Sequence, residues 1–570
     1  MSESSIDRVI AAAEKEALET AKHIRTLQDR RESFSKSLRE THAGEEEVQA
    51  PPTPPVRSSA ATSDASPPKV ADKASPRSPV ASRRGGLSTI GRYAHSSASP
   101  RGSLTDLVPI GEEAVEKPTI ASPKGVVIFG ILTIGLVLLQ TLAVPGETMM
   151  GPPSEPSSEI DRADTAWMLI STAAVLLMIP ALGLFEAGLL RAKNAVSVLM
   201  QCFAGAAVLS VLWFLIGFSL CFAEGGGFFF GSLWTHAFLA NVPWTSPLPA
   251  APTIPGVLFA AFQCMFACIT PLLCTGAFAE RLRFEAFLTF VIVWSVFVYY
   301  PLCHWIWGGG WLSQLGVVDF AGGIVIHTAA GVASLVTAIK LGPRAGFAGV
   351  ISGSLAPHNI PMAATGAGLL WFGWFGFNAG STLSSGGLAA STLMTTHIAG
   401  ATGTLAWLIL DWCVTGRPTL VGVINGALSG LAGVTPASGF VPPSAGFVIG
   451  LLCGVASYLS VHLFKESLRI DDALDVSSIH GVTGVLGSIL IGVYASSSVN
   501  ADGPEASVVQ VLVQTFGVLV AIGWSGGGTY AIMAATQRVM ATRIDGDEES
   551  KGLDTSLHGE SSYNNLQALL

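Results

Sequence analysis

Charge is what this chain has least of. Only 12% of its 570 residues are Asp, Glu, Lys or Arg, while 50% are hydrophobic and the mean hydropathy is +0.53. Soluble chains carry roughly twice that share of charge, so the shortage excludes an ordinary soluble domain and leaves a polytopic membrane protein. With both signs present, the net charge of -9 offers no basic surface for nucleic acid. There is no HExxH and no other metal-ligand or nucleophile–base spacing, so no metal, no other cofactor and no intramembrane enzyme are expected. A paired Asn-Pro-Ala signature is also missing, which disfavours an unrelated channel for water or neutral gas. The eight cysteines (Cys202, Cys221, Cys264, Cys268, Cys274, Cys303, Cys413 and Cys453) all fall in apolar segments; buried free thiols are expected, not structural disulfides.

A second scarcity orients the chain. Eleven apolar runs lie near 164–189, 195–222, 256–279, 284–307, 319–341, 360–380, 387–413, 419–436, 443–464, 478–496 and 507–537. Lys and Arg are absent from 223–255, 308–318, 381–386, 437–442 and 497–506. They recur in the intervening loops at Arg191, Lys193, Arg281, Arg283, Lys340, Arg344, Arg417, Lys465 and Arg469, and after the last run at Arg538 and Arg543. That alternation sets an eleven-helix core over 160–537, beginning outside, followed by a cytoplasmic C-terminal tail over 538–570. One further run, 125–144, follows a basic tail ending at Lys124 and precedes a linker whose only basic residue is Arg162. It reads as an extra transmembrane helix from cytoplasm to outside. A signal peptide would begin over a hundred residues too deep, and a misplaced start codon or late cleavage is the competing account.

Residues 1–124 form the expected cytoplasmic N-terminal tail. Over 46–124 it is rich in Pro, Ser and Ala and expected to be disordered, with Ser-Pro pairs at Ser66, Ser75, Ser78, Ser99 and Ser122. Over 4–40, the spacing of Ile10, Ala13, Ala17, Ile24, Leu27, Phe34 and Leu38 is that of a short helix, either a surface helix or a coiled-coil strand.

Inside the core, two histidines stand in matching settings about 150 residues apart: His327 in VVDFAGGIVIHTAAG and His480 in DALDVSSIHGVTG. Each follows an aspartate and an Ile. A titratable side chain at membrane depth marks a substrate or proton path, and two in the two halves of a chain suggest a structural repeat meeting at one pathway. Around them stand Phe262 and Phe266, four apart on one helical face, GWFGFNAGS with Trp374, Phe377, Asn378 and Ser381, and CHWIWGGGW with Trp307. An interfacial aromatic belt alone would account for Trp305, Trp307 and Trp311.

Together ADTAWML, RAKN, AFQCMFACIT, GAFAERLRF, HWIWGGG, DFAGGIVIH, PHNIPM, GWFGFNAGS, GVTPASG, DDALDVSSIHG and GLDTSLHGESSY, collinear from about residue 162 to 563, resemble the ammonium transporter (Amt/Mep/Rh) family. Trp307 and Ser381 point to the Amt/Mep branch. The resemblance implies an all-α fold of eleven helices with two inverted five-helix repeats, here with one extra N-terminal helix, assembled as a homotrimer in lipid, with the plasma membrane as the expected site; the Lys and Arg distribution sets both termini in the cytoplasm. It implies transport of ammonium, and of methylammonium as an analogue. Phe262, Trp307 and Ser381 match the family's outer cation site, with Tyr299 nearby; a ring face attracts a desolvated cation and a hydroxyl accepts an N–H bond. Phe266 and Phe377 match the pore gate, His327 and His480 the pore histidines, and Asp319 a supporting carboxylate. In the tail, Ser556 occupies the place of a phosphorylatable residue two positions after the motif's Asp554. Glu186 departs from the tyrosine common in bacterial members, and a pairing with Arg191 is expected for it. The alternative function is an ammonium sensor signalling through its tails.

Overall fold

The computed structural model describes residues 159–347 and 355–563. Among these residues the chain is helical, with two isolated β-bridges (Leu248 with Ala251, Leu282 with Arg543) and no strand. The helices are α1 Arg162–Leu189, α2 Ala192–Phe222, α3 Gly256–Phe278, α4 Phe284–Gln314, α5 Gly323–Leu341, α6 Ile360–Gly380, α7 Gly387–Thr415, α8 Leu420–Val434, α9 Pro443–Ser467, α10 Ser477–Tyr494 and α11 Val508–Val539. Ten are long and apolar enough to cross a bilayer, and α8 is apolar but has 15 residues. At the α-helical rise its length is about 22 Å, short of the ~30 Å hydrocarbon thickness. Each coincides with one of the eleven expected runs. The extra helix at 125–144, the tail 1–124 and the short helix at 4–40 lie outside the described residues.

Large apolar side chains face outward along these helices, among them Ile170, Phe203, Leu405 and Leu512. In a bilayer that surface meets hydrocarbon, and the helical backbone satisfies its own hydrogen bonds. Cys413 on α7 belongs to this outer surface, between exposed Trp412 and Val414, which corrects the expectation that it is buried; the other seven cysteines are buried free thiols.

Five crossings return the chain to the face opposite its start, so α6–α10 run inverted with respect to α1–α5. The two halves meet where α1 packs on α6 and α5 on α10. The second contact is backbone against backbone: a Cβ on Gly331 of α5 would lie 2.2 Å from Gly481 Cα of α10, and one on Gly484 would lie 2.9 Å from His327 Cβ. Only glycine permits that approach, which small residues supply in lipid where apolar burial drives little association.

The face rich in Lys and Arg is tied by buried ion pairs. Glu280, in the α3–α4 loop, accepts from Arg191 Nε (3.1 Å), Arg344 Nη1 (3.0 Å) and Asn194 Nδ2 (2.7 Å). Asp471 accepts from Arg344 Nη2 (2.8 Å) and lies 3.9 Å from Arg281 Nη1. Burial acts to raise both carboxyls, but Arg344 and its neighbours hold Glu280 and Asp471 below the usual range, while burial pushes Arg281 down to about 10. Arg191 is therefore engaged by Glu280. The expected Glu186–Arg191 pair does not form: Glu186 points the other way, into the bundle, and accepts from Thr275 Oγ1 at 2.7 Å.

The C-terminal tail lies against this same face. Helix α12, Gly546–Lys551, carries Glu548 to Arg283 (2.8 Å) and Glu549 to Arg543 (3.0 Å) and to the Ala345 N–H (2.6 Å). Asp554 then accepts from the backbone N–H groups of Val196 and Ser197 at the start of the regular α2 helix, where a carboxylate favours the exposed N–H groups and the helix dipole.

Candidate functional site

Opposite the basic face, a cavity of about 240 Å3 opens among Phe259, Gln263, Phe266, Trp307, Phe320 and Ser381. Trp307 ends the regular part of α4 and donates its indole N–H to the Asp319 carbonyl (2.7 Å), which fixes the ring and leaves its face for the cavity. Ser381, at the end of α6, donates its hydroxyl to Phe377 O (2.8 Å), so the free lone pairs of its oxygen can accept. The amide oxygen of Gln263 is buried with no hydrogen-bond partner among the described residues.

The rings of Phe266 and Phe377 close the floor, stacked with centroids 4.3 Å apart and planes at 21°. Below them a cavity of about 20 Å3 is lined by apolar side chains, Trp374, His327 and His480. That volume admits about one molecule the size of water. The two Nδ1 atoms are 3.1 Å apart, and Trp374 stacks along both imidazoles at 5.6 and 6.4 Å. Trp374 is itself held by Thr435 Oγ1 at 2.9 Å. A contact between two Nδ1 atoms needs one donor and one acceptor, so neutral rings must adopt opposite tautomers, one with its proton on Nδ1 and the other on Nε2. The pair thus presents one accepting and one donating outer nitrogen. His327 Nε2 is buried without a protein partner.

Both histidines sit on wide π-helical turns, Gly323–Thr328 and Ser477–Val482, at the starts of α5 and α10. Each turn is held by the aspartate eight residues before its histidine. Asp319 accepts from the N–H groups of Gly322 (2.9 Å), Gly323 (2.7 Å), Ile324 (2.7 Å) and Val325 (2.9 Å). Asp472 accepts from Ser477 N (2.7 Å) and Ser477 Oγ (2.6 Å).

A family model described as the Ammonium Transporter Family matches residues 166–563. The chain belongs to that family. Ammonium transporter 1 of Dictyostelium discoideum is 47% identical over 411 residues, covering 71% of this chain and 88% of that protein. Among solved structures, Mep2 of Candida albicans is 36% identical, with a TM-score of 0.64 over 68% of this chain and 88% of that one. A structure titled Sensor Amt Protein is 28% identical, with a TM-score of 0.65 over 70% and 98%. The protein is an integral membrane ammonium transporter and not an enzyme.

The transporter brings Trp307, Ser381 and Phe266 to the outer cavity and Phe377, His327 and His480 to the inner one, with the Phe266–Phe377 stack between them. Asp319 lines neither cavity and acts through the backbone, as a support. Two expected contact residues are placed elsewhere. Phe262 is 1% exposed and packs behind Phe266 (4.8 Å between centroids), so the ring facing the outer cavity is Phe266; Tyr299 is fully buried and lines neither cavity. Both share a helix with a lining residue, and helical spacing alone does not tell which ring turns toward the space. Gln263 was not expected at the site, and Trp374, named among the aromatics around the histidines, had been given no role there. Their signal was a polar amide inside an apolar run and a Trp three residues before Phe377.

Proposed function

We propose that ammonium enters the outer cavity as the cation, loses a proton at the histidine pair and crosses the narrow segment as ammonia. The Trp307 face, the Ser381 oxygen and the Gln263 amide oxygen supply cation–π attraction and N–H acceptors, and the Phe266–Phe377 stack bars hydrated ions. The observation that carries this reading is the 3.1 Å histidine contact in a cavity with room for one small molecule. Potassium is similar in size but has no proton to give up, so it stops above the stack. Methylammonium keeps the same chemistry and serves as the analogue. The distribution of Lys and Arg supports cytoplasmic placement of the tail-bearing face and of both termini, and membership of the family supports the plasma membrane and three protomers per assembly.

His327→Ala and His480→Ala, reconstituted in vesicles, are expected to lower the rate and to reduce the preference for ammonium over potassium. Unchanged rate and unchanged selectivity in both variants would refute the proton-relay role. The likeness to a sensor protein supports a second, additional role in sensing, which requires that ammonium alter protease access to the tails.

A further inference from the structure

We propose that Glu186 takes the proton onward from the histidine pair, so that the charge of ammonium leaves by a route that ammonia does not share. The inference rests on the deprotonation proposed above. Glu186, on α1, is 1% exposed and, among the described residues, forms no ion pair. The nearby arginines are committed: Arg191 and Arg344 to Glu280, Arg281 and Arg344 to Asp471. Its hydrogen bonds come from Thr275 Oγ1 (2.7 Å) and the Gly276 N–H. The titratable groups facing it are Cys202 from α2, Cys274 from the end of α3 and Asp472 from the segment before α10. None of these brings a positive charge.

Its position lies next to the histidine cavity. Leu182 and Phe185, four residues and one residue before it on α1, line that cavity, as does Leu273 on the helix that bears Thr275. A Cβ on Gly276 would be 3.0 Å from Glu186 Oε1, 2.8 Å from Val476 Cγ2 and 3.2 Å from Leu474 Cβ, so the carboxylate and the chain linking Asp472 to the His480 turn both crowd the same glycine. Asp472 uses Oδ2 to hold that turn, while its Oδ1 is buried without a partner. Glu186 is buried with no cation among the groups that face it and with the Asp472 carboxyl close by, so its charged form is disfavoured and it holds a proton. It is therefore a store that releases one proton toward the basic face and refills from an imidazolium. Only N–H and O–H bonds change: an N–H of ammonium breaks, the proton resides on an imidazole nitrogen and then on a carboxyl oxygen, and it ends in water on the basic face.

A purely structural role, tying α1 to α3, is separated by Glu186→Gln, which keeps an acceptor for Thr275 and removes the proton site. The full chain is reconstituted in liposomes, and the current after an ammonium jump is read beside uptake of labelled methylammonium. Glu186→Gln should lower the ratio of current to uptake at least fivefold with wild-type thermal stability, and Glu186→Asp should restore part of it. A Glu186→Gln protein with the wild-type ratio, even if both readings fall together, overturns the proposal. Wild-type uptake without current also overturns it but leaves transport intact; wild-type protein with neither would overturn the transport reading itself.

Discussion

The indole of Trp307 spends its only polar hydrogen on the Asp319 carbonyl, so what it offers a cation is its π face. Such a face contributes about 0.5–2 kcal/mol to holding ammonium, which is roughly a two- to thirtyfold change in half-saturation concentration. Trp307→Leu should raise that concentration by such a factor in initial-rate uptake assays, and an unchanged value would remove the ring from the site. At this scale the sequence was legible where a residue was chemically out of place. His327 and His480 stood out because an imidazole is costly at membrane depth, and Trp307 and Ser381 through the motifs around them. Glu186 stood out as a departure from the tyrosine common in bacterial members, yet its partner was misread: Arg191 is near in sequence, whereas Thr275 is 89 residues away. Phe262 and Phe266 are equally apolar and on one helical face, so only packing decides which of them lines the outer cavity.

For helices, run length and basic-loop spacing sufficed to locate all eleven elements, because hydrocarbon demands long apolar stretches and leaves charge only at their ends. What they could not reveal is how closely two helices approach. The histidines meet because α5 and α10 cross with Gly331 against Gly481, and nothing local distinguishes that glycine from Gly523 on α11, where a Cβ would meet nothing within 4 Å. The contrast gives a matched pair of variants. Gly331→Ala must push the helices apart, and overpacking of this kind costs about 1–3 kcal/mol; it should lower both the melting temperature in detergent and the ammonium transport rate. Gly523→Ala should leave both near wild type. Equal behaviour of the two variants would mean that the crossing tolerates separation and does not set the histidine contact.

Across the whole molecule, the tail joins parts of the chain that only the fold brings together: Glu548 reaches Arg283, Glu549 reaches the segment after α5, Asp554 caps α2, and the Tyr563 hydroxyl lies 3.1 Å from His358 Nε2 before α6. These contacts span hundreds of residues in sequence and leave no periodic trace, which is why only the tail's motif was legible and not its docking. Ser556 sits inside this clamp, donating to Gly552 O at 2.7 Å, two residues after Asp554. A phosphate there would add nearly two negative charges beside a buried carboxylate that already fills the α2 cap, and repulsion with desolvation should lift the tail from the face it braces. Ser556→Asp, a weaker mimic, is therefore expected to lower ammonium transport. If the tail also couples protomers in the proposed trimer, co-expression of Ser556→Asp with wild type should depress activity more steeply than the mutant fraction. A loss strictly proportional to that fraction would reject coupling between protomers, and full activity of the pure variant would reject the tail as a switch.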